Sequence, residues 1–187
     1  MKNKVSSALA IGLGVVFALA LRASAQNNEM QMTPAASSDA QKSFEKLKTL
    51  AGTWTGHVTS MPVDPDIENK DVHATLRVTS MGNALMHEMQ GMGRPDDPIT
   101  MLYLDGDRLL LTHYCDAGNR PRMTARASGD GKVVEFDFLD VAGGTKYGHM
   151  DHAVFTIIDE NHHTEEWTYM MPGDKPMHAR MELTRAK

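Results

Sequence analysis

Two residues able to do nucleophilic and acid–base chemistry stand two positions apart near the middle of the chain. His113 and Cys115 end the apolar run 108–115, in which Leu109 and Leu111 belong to the same alternating set. Because successive side chains of a strand point to opposite faces, these four residues share one face, with His113 and Cys115 roughly 7 Å apart. An imidazole can activate a neighbouring thiol as a nucleophile, but no Gly-x-Ser-x-Gly elbow or other catalytic signature accompanies this pair. The pair therefore predicts part of a binding site rather than an enzyme.

The turn that follows carries groups suited to an acidic head group. Asn119, Arg120 and Arg122 fall within residues 116–123, and Met123 comes directly after them. A guanidinium can hold a carboxylate through two parallel hydrogen bonds. We predict that Asn119, Arg122 and Met123 join His113 and Cys115 in a ligand site. The alternative is a polar turn whose arginines are solvated, which is the commoner situation for arginine.

Other candidates for chemistry carry a weaker signal. Glu88 and Glu166 could serve acid–base work if either is buried. The closely spaced histidines lie three positions or one position apart in the sequence. Within a strand, each such pair points to opposite faces and makes no local metal site. These pairs are His149 with His152, and His162 with His163.

The chain holds fifteen methionines, many of them in or beside predicted strands. Flexible, polarizable thioethers suit an adaptable apolar pocket, and we predict that Met86 and Met101 line it with Leu109, Leu111 and Phe136. Copper(I) binding is the alternative, because thioether and imidazole ligands are soft enough for that ion and the segment 86–89 reads Met-His-Glu-Met.

A short helix is predicted over residues 38–51. Ser38 is a predicted N-cap, Gln41 completes a capping box, and Gly52 stands where a C-terminal glycine stop belongs. Phe44, Leu47 and Leu50 fall on one face of this helix.

Beyond the helix the pattern is all-β, with β-branched and aromatic runs separated by turn residues. Ten strands are predicted: 53–58, 72–81, 84–90, 99–104, 108–115, 122–128, 132–140, 149–158, 162–171 and 175–185. Tight turns such as Gly82-Asn83 and Asp105-Gly106 favour sequential hairpins. Because closure removes the exposed edges of such a meander, we predict a closed ten-stranded antiparallel up-and-down barrel with one N-terminal helix. A sandwich of two sheets is the alternative.

The segment 50–56, Leu-Ala-Gly-Thr-Trp-Thr-Gly, resembles the opening of the calycin barrels, the group of lipocalins, fatty-acid-binding proteins and nitrobindin-like proteins. The resemblance implies that Trp54 packs across the barrel floor. Ten runs and no helix after the last one differ from a lipocalin, and Pro62 and Pro65 exclude the helical lid of fatty-acid-binding proteins. The chain therefore looks most like the nitrobindin type or like poorly characterised exported lipocalin-like proteins.

The nitrobindin resemblance also implies a haem alternative. Those proteins ligate haem iron through a histidine on the final strand, and His178 occupies the comparable position here. However, the apolar face of that run reads Met177, Ala179, Met181 and Leu183, which places His178 on the outer face.

The N-terminus predicts export. Lys2 and Lys4 precede an apolar stretch, and residues 23–25 read Ala-Ser-Ala, so we predict a signal peptide over 1–25 that is cleaved after Ala25, and a periplasmic or extracellular location. Residues 26–37 read as a disordered tether and residues 38–187 as a single domain. Losing the three basic residues of the leader takes the net charge from −5 to −8, which argues against nucleic acid or an anionic membrane as partner.

The sequence therefore predicts an exported binding protein that holds a small, mostly apolar molecule inside a β-barrel, with haem or copper binding as alternatives and the identity of any cofactor left open. The rival is a barrel filled by its own side chains. The predicted ligand-contacting residues are His113, Cys115, Asn119, Arg122, Met123, Met86, Met101 and Trp54, with His178 reserved for haem.

Overall fold

The computed structural model describes residues 37–91, 98–127 and 130–187. The predicted signal peptide, and the predicted tether up to residue 36, lie outside the described residues, so both stay predictions. Within the described ranges, no helix has the length and apolar character needed to cross a membrane.

The helix α1 spans Asp39–Lys48 and begins as predicted. The Ser38 hydroxyl accepts a hydrogen bond from the backbone N–H of Gln41 at 3.1 Å. The Gln41 side chain does not return to the cap but donates to Glu45 Oε1 at 2.8 Å, so half of the predicted capping box forms.

The helix ends earlier than predicted, because Thr49 provides the C-cap in a right-handed conformation. Gly52 is not the helix stop but the first residue of β1, with a φ of 141°. A Cβ at this position would collide with the Arg185 guanidinium, so glycine is needed here for close approach as well as for the positive φ.

Ten strands follow in the described part of the chain, each within a few residues of its predicted position. They are β1 (Gly52–Met61), β2 (Asp71–Thr79), β3 (Ala84–Gly91), β4 (Ile99–Asp105), β5 (Arg108–Tyr114), β6 (Arg120–Ala127), β7 (Val133–Ala142), β8 (His149–Ile157), β9 (His162–Met171) and β10 (Lys175–Arg185). The β2–β3 turn contains a short 3₁₀ segment, Ser80–Gly82.

Each strand pairs antiparallel with its neighbours in sequence, and β1 pairs with β10 to close the ring. The closing ladder runs from Trp54 opposite Arg185 to Met61 opposite His178. This confirms the predicted closed up-and-down barrel, and the two-sheet sandwich is wrong because no edge strand is left to separate two sheets.

The two ends of the barrel differ. Phe44, Leu47 and Leu50 of α1 are buried in the same core cluster as the barrel's interior side chains. Lys48 Nζ donates to the carbonyl of Gly82 in the β2–β3 turn at 3.4 Å, which places α1 at the end where the even-numbered strands turn back. The connections after β1, β3, β5, β7 and β9 therefore lie at the opposite end, which we call the open end.

Candidate functional site

A row of three polar side chains crosses three neighbouring strands inside the barrel. His87 on β3 is the register partner of Thr100 on β4, and Thr100 is the register partner of His113 on β5. All three are buried, and Thr100 Oγ1 lies 2.8 Å from His113 Nδ1 in a hydrogen bond. Alternation explains the row, because each of the three shares its strand's inward face with buried leucines. We call His87, Thr100 and His113 the polar row.

The strand β9 faces this row from across the barrel, since five strand positions separate β9 from β4 around the ring. Trp167 of β9 fills the space between them. Its ring stacks on His87 with centroids 5.9 Å apart and lies 5.7 Å from the ring of His113. The indole therefore packs against both imidazoles and restricts their orientation.

A fully buried carboxylate lies below Trp167, toward the helix end. Glu165 accepts hydrogen bonds from His163 Nε2 and from Trp167 Nε1, each at 3.0 Å. His87 Nε2 lies 3.1 Å from Glu165 Oε2, the oxygen that also accepts from Trp167, but without a hydrogen bond. Because a carboxylate can only accept, these ring nitrogens carry their protons toward Glu165.

The environment of Glu165 favours its charged form. Burial by itself raises the pKa of the Glu165 carboxyl, but the charge of His87 and the hydrogen bond from His163 outweigh burial and hold that pKa far below its ordinary range. A buried charge persists only when it is paired and hydrogen-bonded, and both conditions are met here.

This shift predicts an acid-sensitive fold. The pKa of Glu165 is lower in the folded protein than in the unfolded chain, where it is about 4.3, so the folded state binds fewer protons at this group and loses stability as the pH falls. The contribution of Glu165 is complete at neutral pH and declines below about pH 5.

Urea unfolding measured from neutral pH down to about pH 3 tests this expectation. The wild-type protein should lose stability over this acid range more steeply than Glu165→Gln, which has no carboxyl to protonate. Identical acid slopes for the two proteins would contradict the assignment.

The imidazole of His87 is incompletely satisfied. The residue is only 1 % exposed, yet neither of its ring nitrogens has a hydrogen-bond partner among the described residues. A buried polar atom without a partner costs roughly 1–3 kcal/mol, so such an atom indicates a position where a ligand or water completes the structure.

His87 belongs to the wall of an interior cavity. The cavity has a volume of about 220 Å³ and lies between the polar row, Trp167 and the open end. Its wall is mainly apolar. Besides the polar row and Trp167, the lining consists of Ile67, Met89, Pro98, Cys115, Asp116, Ala117, Met150, Tyr169, Met177, Ala179 and Met181.

The loop over residues 62–70 brings Ile67 to the rim of this cavity. The loop is anchored by Glu68, whose Oε2 accepts from the Ser60 backbone N–H at 2.6 Å and from the Ser60 hydroxyl at 2.8 Å. Asn69 N–H also donates to the carbonyl of Val58 at 2.8 Å. As the two prolines predicted, the loop is formed by turns and carries no helical lid.

Of the predicted site residues, His113 and Cys115 lie in the cavity wall. Asn119 does not line it. Asn119 is buried, and its Nδ2 donates to the carbonyls of Gly144 at 2.9 Å and Gly148 at 2.7 Å, so it ties two open-end loops together.

Arg122 lies on the outer surface, where its guanidinium makes a bidentate pair with Asp140. It is therefore not placed to hold a head group inside the barrel. The neighbouring Met123 points inward and is fully buried in the core cluster, but it does not reach the cavity.

Met86 and Met101, predicted to line the interior, lie instead on the outer face. Inward positions on their strands belong to His87 and Thr100, so alternation turns both methionines outward. They contribute to a separate depression on the outside of the barrel, next to Tyr114 and Arg120.

The residues of the haem and copper alternatives are also placed by alternation. His178 is exposed and its Nδ1 lies 3.0 Å from Thr168 Oγ1, whereas Met177, Ala179 and Met181 line the cavity, as the pattern of β10 predicted. The Met-His-Glu-Met segment is divided, with His87 and Met89 facing inward and Met86 and Glu88 outward. His178 therefore does not face the cavity as a haem ligand would, and the Met-His-Glu-Met segment does not place its four side chains together as a copper site would need.

A group of possible metal ligands lies elsewhere in the described residues: Glu135, Asp137 and His152, whose ligand atoms all fall within 4.8 Å of one another. The Arg126 guanidinium already pairs with both carboxylates, at 3.2 Å from Glu135 and in a shorter contact with Asp137. This surface group is therefore a compensated ion cluster.

Sequence reasoning named His87 only within the Met-His-Glu-Met segment of the copper alternative and missed Thr100, Glu165 and Trp167. Its acid–base candidates were Glu88 and Glu166. The signal available was alternation along β9, where the large apolar Trp167 marks the inward face and places Glu165 on the same side. Glu166 points outward and pairs with Arg180.

Comparisons with known proteins support the fold. No protein-family model matches the chain, and no curated protein matches it. The crystal structure of Rv2717c from M. tuberculosis is similar with a TM-score of 0.55 and 14% identity, covering 78% of this chain and 98% of that one. A DUF3598-family protein of unknown function from Nostoc punctiforme is similar with a TM-score of 0.51 and 11% identity, covering 75% of this chain and 49% of that one. At these identities the likeness establishes a shared barrel fold.

Proposed function

We propose that this protein binds a small, mostly apolar molecule in the interior cavity between Trp167 and the open end of the barrel. One observation carries the proposal. The cavity has a mainly apolar wall that is interrupted by the polar row His87, Thr100 and His113. An apolar wall with a few placed polar groups is the usual composition of a small-molecule site.

The volume sets the size of the ligand. An engineered apolar cavity of about 150 Å³ in another protein binds benzene. The cavity of about 220 Å³ is somewhat larger, so it suits a molecule with one ring and short substituents, or two small fused rings. A large macrocycle does not fit this volume without a rearrangement of the wall.

The wall chemistry favours an aromatic ligand over a purely aliphatic one. Four methionines, Met89, Met150, Met177 and Met181, contribute to the wall, and the ring of Trp167 forms its inner boundary. Thioether sulfur makes favourable contacts with aromatic rings, and an indole offers edge-to-face or offset stacking. Because methionine side chains are flexible, the wall can adapt to rings with different substituents.

We further propose that binding takes place after export, because the N-terminal 25 residues have the pattern of a cleavable signal peptide. The acidic net charge favours an uncharged small molecule over nucleic acid as the partner.

The proposal predicts saturable binding of fluorotoluene, which can be followed by fluorine NMR on the folded protein. Ala179→Leu fills part of the cavity and is expected to weaken this binding at least tenfold, because the added side chain occupies the ligand's volume.

Ala142→Leu provides the matched control, since Ala142 ends β7 in an exposed position. Arg122→Ala should also leave binding unchanged, because Arg122 is paired on the outer surface. Failure of the wild-type protein to saturate, or equal binding by wild type and Ala179→Leu, would contradict the proposed function.

A further inference from the structure

We propose that the outer face of β3, β4, β5 and β6 binds a second copy of this chain, so that the protein forms a two-fold symmetric dimer. This surface lies on the outside of the barrel, and its role is independent of the ligand cavity. It includes Met86 and Met101, which the sequence assigned to the ligand site and the structure turns outward.

The outward side of β4 is apolar and aromatic. Ile99, Met101 and Tyr103 alternate along this strand with the buried Thr100 and Leu102, so all three point away from the core. Exposed apolar patches bordered by polar groups are typical of protein interaction sites. On β10, by contrast, the outward residues are polar or charged: His178, Arg180, Glu182 and Thr184.

An open depression lies on this face of the barrel. Met86, Ile99 and Met101 form part of its wall, and Tyr114 lines it with half of its side chain exposed. Arg120 lines the same depression on the side of β6. Tyrosine, methionine and arginine are enriched at protein interfaces, and an exposed aromatic ring next to a depression provides both the knob and the hole of a self-complementary contact.

A cross-strand row on this face has opposite charges at its two ends. Glu88 of β3 is the register partner of Ile99 of β4, and Ile99 is the register partner of Tyr114 of β5. Arg120 of β6 completes the row, since it lines the depression together with Tyr114. The row therefore reads acidic, apolar, aromatic and basic from β3 to β6.

The two charged ends of this row have no ion-pair partner among the described residues. Other arginines on the outer surface do pair with carboxylates: Arg108 with Asp105, Arg122 with Asp140, Arg126 with Asp137, and Arg180 with Glu166. Glu88 and Arg120 are therefore the groups of this face that an intermolecular contact can pair.

A two-fold axis makes the row complementary to itself. An axis that lies in the interface and runs parallel to the strands, between β4 and β5, exchanges β4 with β5 and β3 with β6. Glu88 then faces the partner's Arg120, and Arg120 faces the partner's Glu88. At the centre of the contact, Tyr114 lies against the partner's Ile99. Because the charged side chains are long, they can meet where the two convex barrels diverge.

The charge of the patch also favours a second copy. The chain as a whole has a net charge of −5, so two molecules repel each other in most orientations. Around the depression the charges balance, because Glu88 and Asp116 are matched by Arg120 and by Arg77, whose Nη2 lies 3.7 Å from Met86 Sδ. Apolar contact can therefore form here without the repulsion that acts elsewhere.

Sedimentation equilibrium of the purified protein tests the proposal. A contact between two convex barrels is smaller than a standard interface, so we expect a reversible dimer with a Kd on the order of 10 μM. Glu88→Arg and Arg120→Glu should each weaken self-association at least tenfold, because like charges then face each other across the axis.

Mixing the two charge variants separates a two-fold dimer from a general effect of charge. In the mixed dimer each charged position of one variant faces an opposite charge on the other, so the mixture should associate with a Kd near that of the wild type. Association in the mixture would also show that both variants are folded.

Glu182→Arg is the matched control, since it makes the same change of charge on β10 at a side chain that is 79% exposed, and it should keep the wild-type Kd. Tyr114→Ala should weaken the dimer at least tenfold and decides the question if a charge variant does not fold. A wild-type protein that stays monomeric at about 1 mM would overturn the proposal. Equal self-association of the wild type and the charge variants, or no association in their mixture, would also overturn it.

Discussion

Replacing Glu165 by glutamine is expected to lower the free energy of unfolding by about 3–5 kcal/mol at neutral pH, a large fraction of the stability of a domain this size. The carboxylate is completely buried and accepts from His163 and Trp167 while facing His87. Glutamine keeps the shape but replaces one acceptor with an N–H₂ group, which then faces donors. The imidazoles lose the negative charge that compensates them in a site without access to water.

The neighbouring residue provides the control. Glu166 follows Glu165 on β9, points outward and pairs with Arg180, with 47% of its side chain exposed. Glu166→Gln should change the unfolding free energy by no more than about 1 kcal/mol, because an exposed ion pair is screened by solvent. Urea denaturation of both variants decides the matter, and equal effects of the two substitutions would refute the structural role assigned to Glu165.

Truncating Trp54 to alanine is expected to cost about 3–5 kcal/mol of stability. This residue is completely buried at the helix end, where its Nε1 donates to the carbonyl of Leu50 at 2.8 Å. Arg185 lies over one face of the indole at 4.1 Å, and the edge-on ring of His163 lies at 4.2 Å. Alanine would leave a cavity that helix, strand and arginine cannot fill by small movements.

Two further substitutions sharpen this test by thermal or urea unfolding. Trp54→Phe keeps most of the buried volume and loses the hydrogen bond to Leu50, so it should cost clearly less than Trp54→Ala. Tyr114→Ala removes an aromatic ring that is half exposed on β5 and should change stability by less than about 1 kcal/mol. A Trp54→Ala variant as stable as Tyr114→Ala would show that the helix end does not depend on this ring.

Arg185 illustrates why the helix end is specified by distant parts of the chain. Its guanidinium donates to the carbonyls of Ala51 at 2.8 Å and Thr49 at 3.1 Å, and its Nε donates to the carbonyl of Glu160 at 2.8 Å. These carbonyls belong to the α1–β1 connection and to the β8–β9 turn. One side chain of the last strand therefore satisfies backbone groups from the α1–β1 connection and from the β8–β9 hairpin.

The sequence determined the architecture because the signals for strands and turns are local. Alternation of apolar and polar residues, together with turn residues at regular intervals, predicted all ten strands and their order. Closure of the barrel was predicted because two edge strands with unpaired backbone groups are unfavourable. The pairing of β1 with β10 removes both of these edges. Alternation also placed His113 and Cys115 in the interior and His178 outside it, since those assignments need only the period of a single strand.

The tertiary structure decided the site, because the decisive contacts join strands far apart in sequence. His87 and Glu165 meet across the barrel interior at 3.1 Å, and no local pattern indicates that a histidine of β3 and a glutamate of β9 compensate each other. Sequence reasoning chose Glu166 and Arg122 by residue type, and the structure places both in exposed ion pairs on the outer face. Only the closed ring shows that His163 and Trp167 donate to Glu165 and that His87 lies against it, so that burying its charge is tolerated.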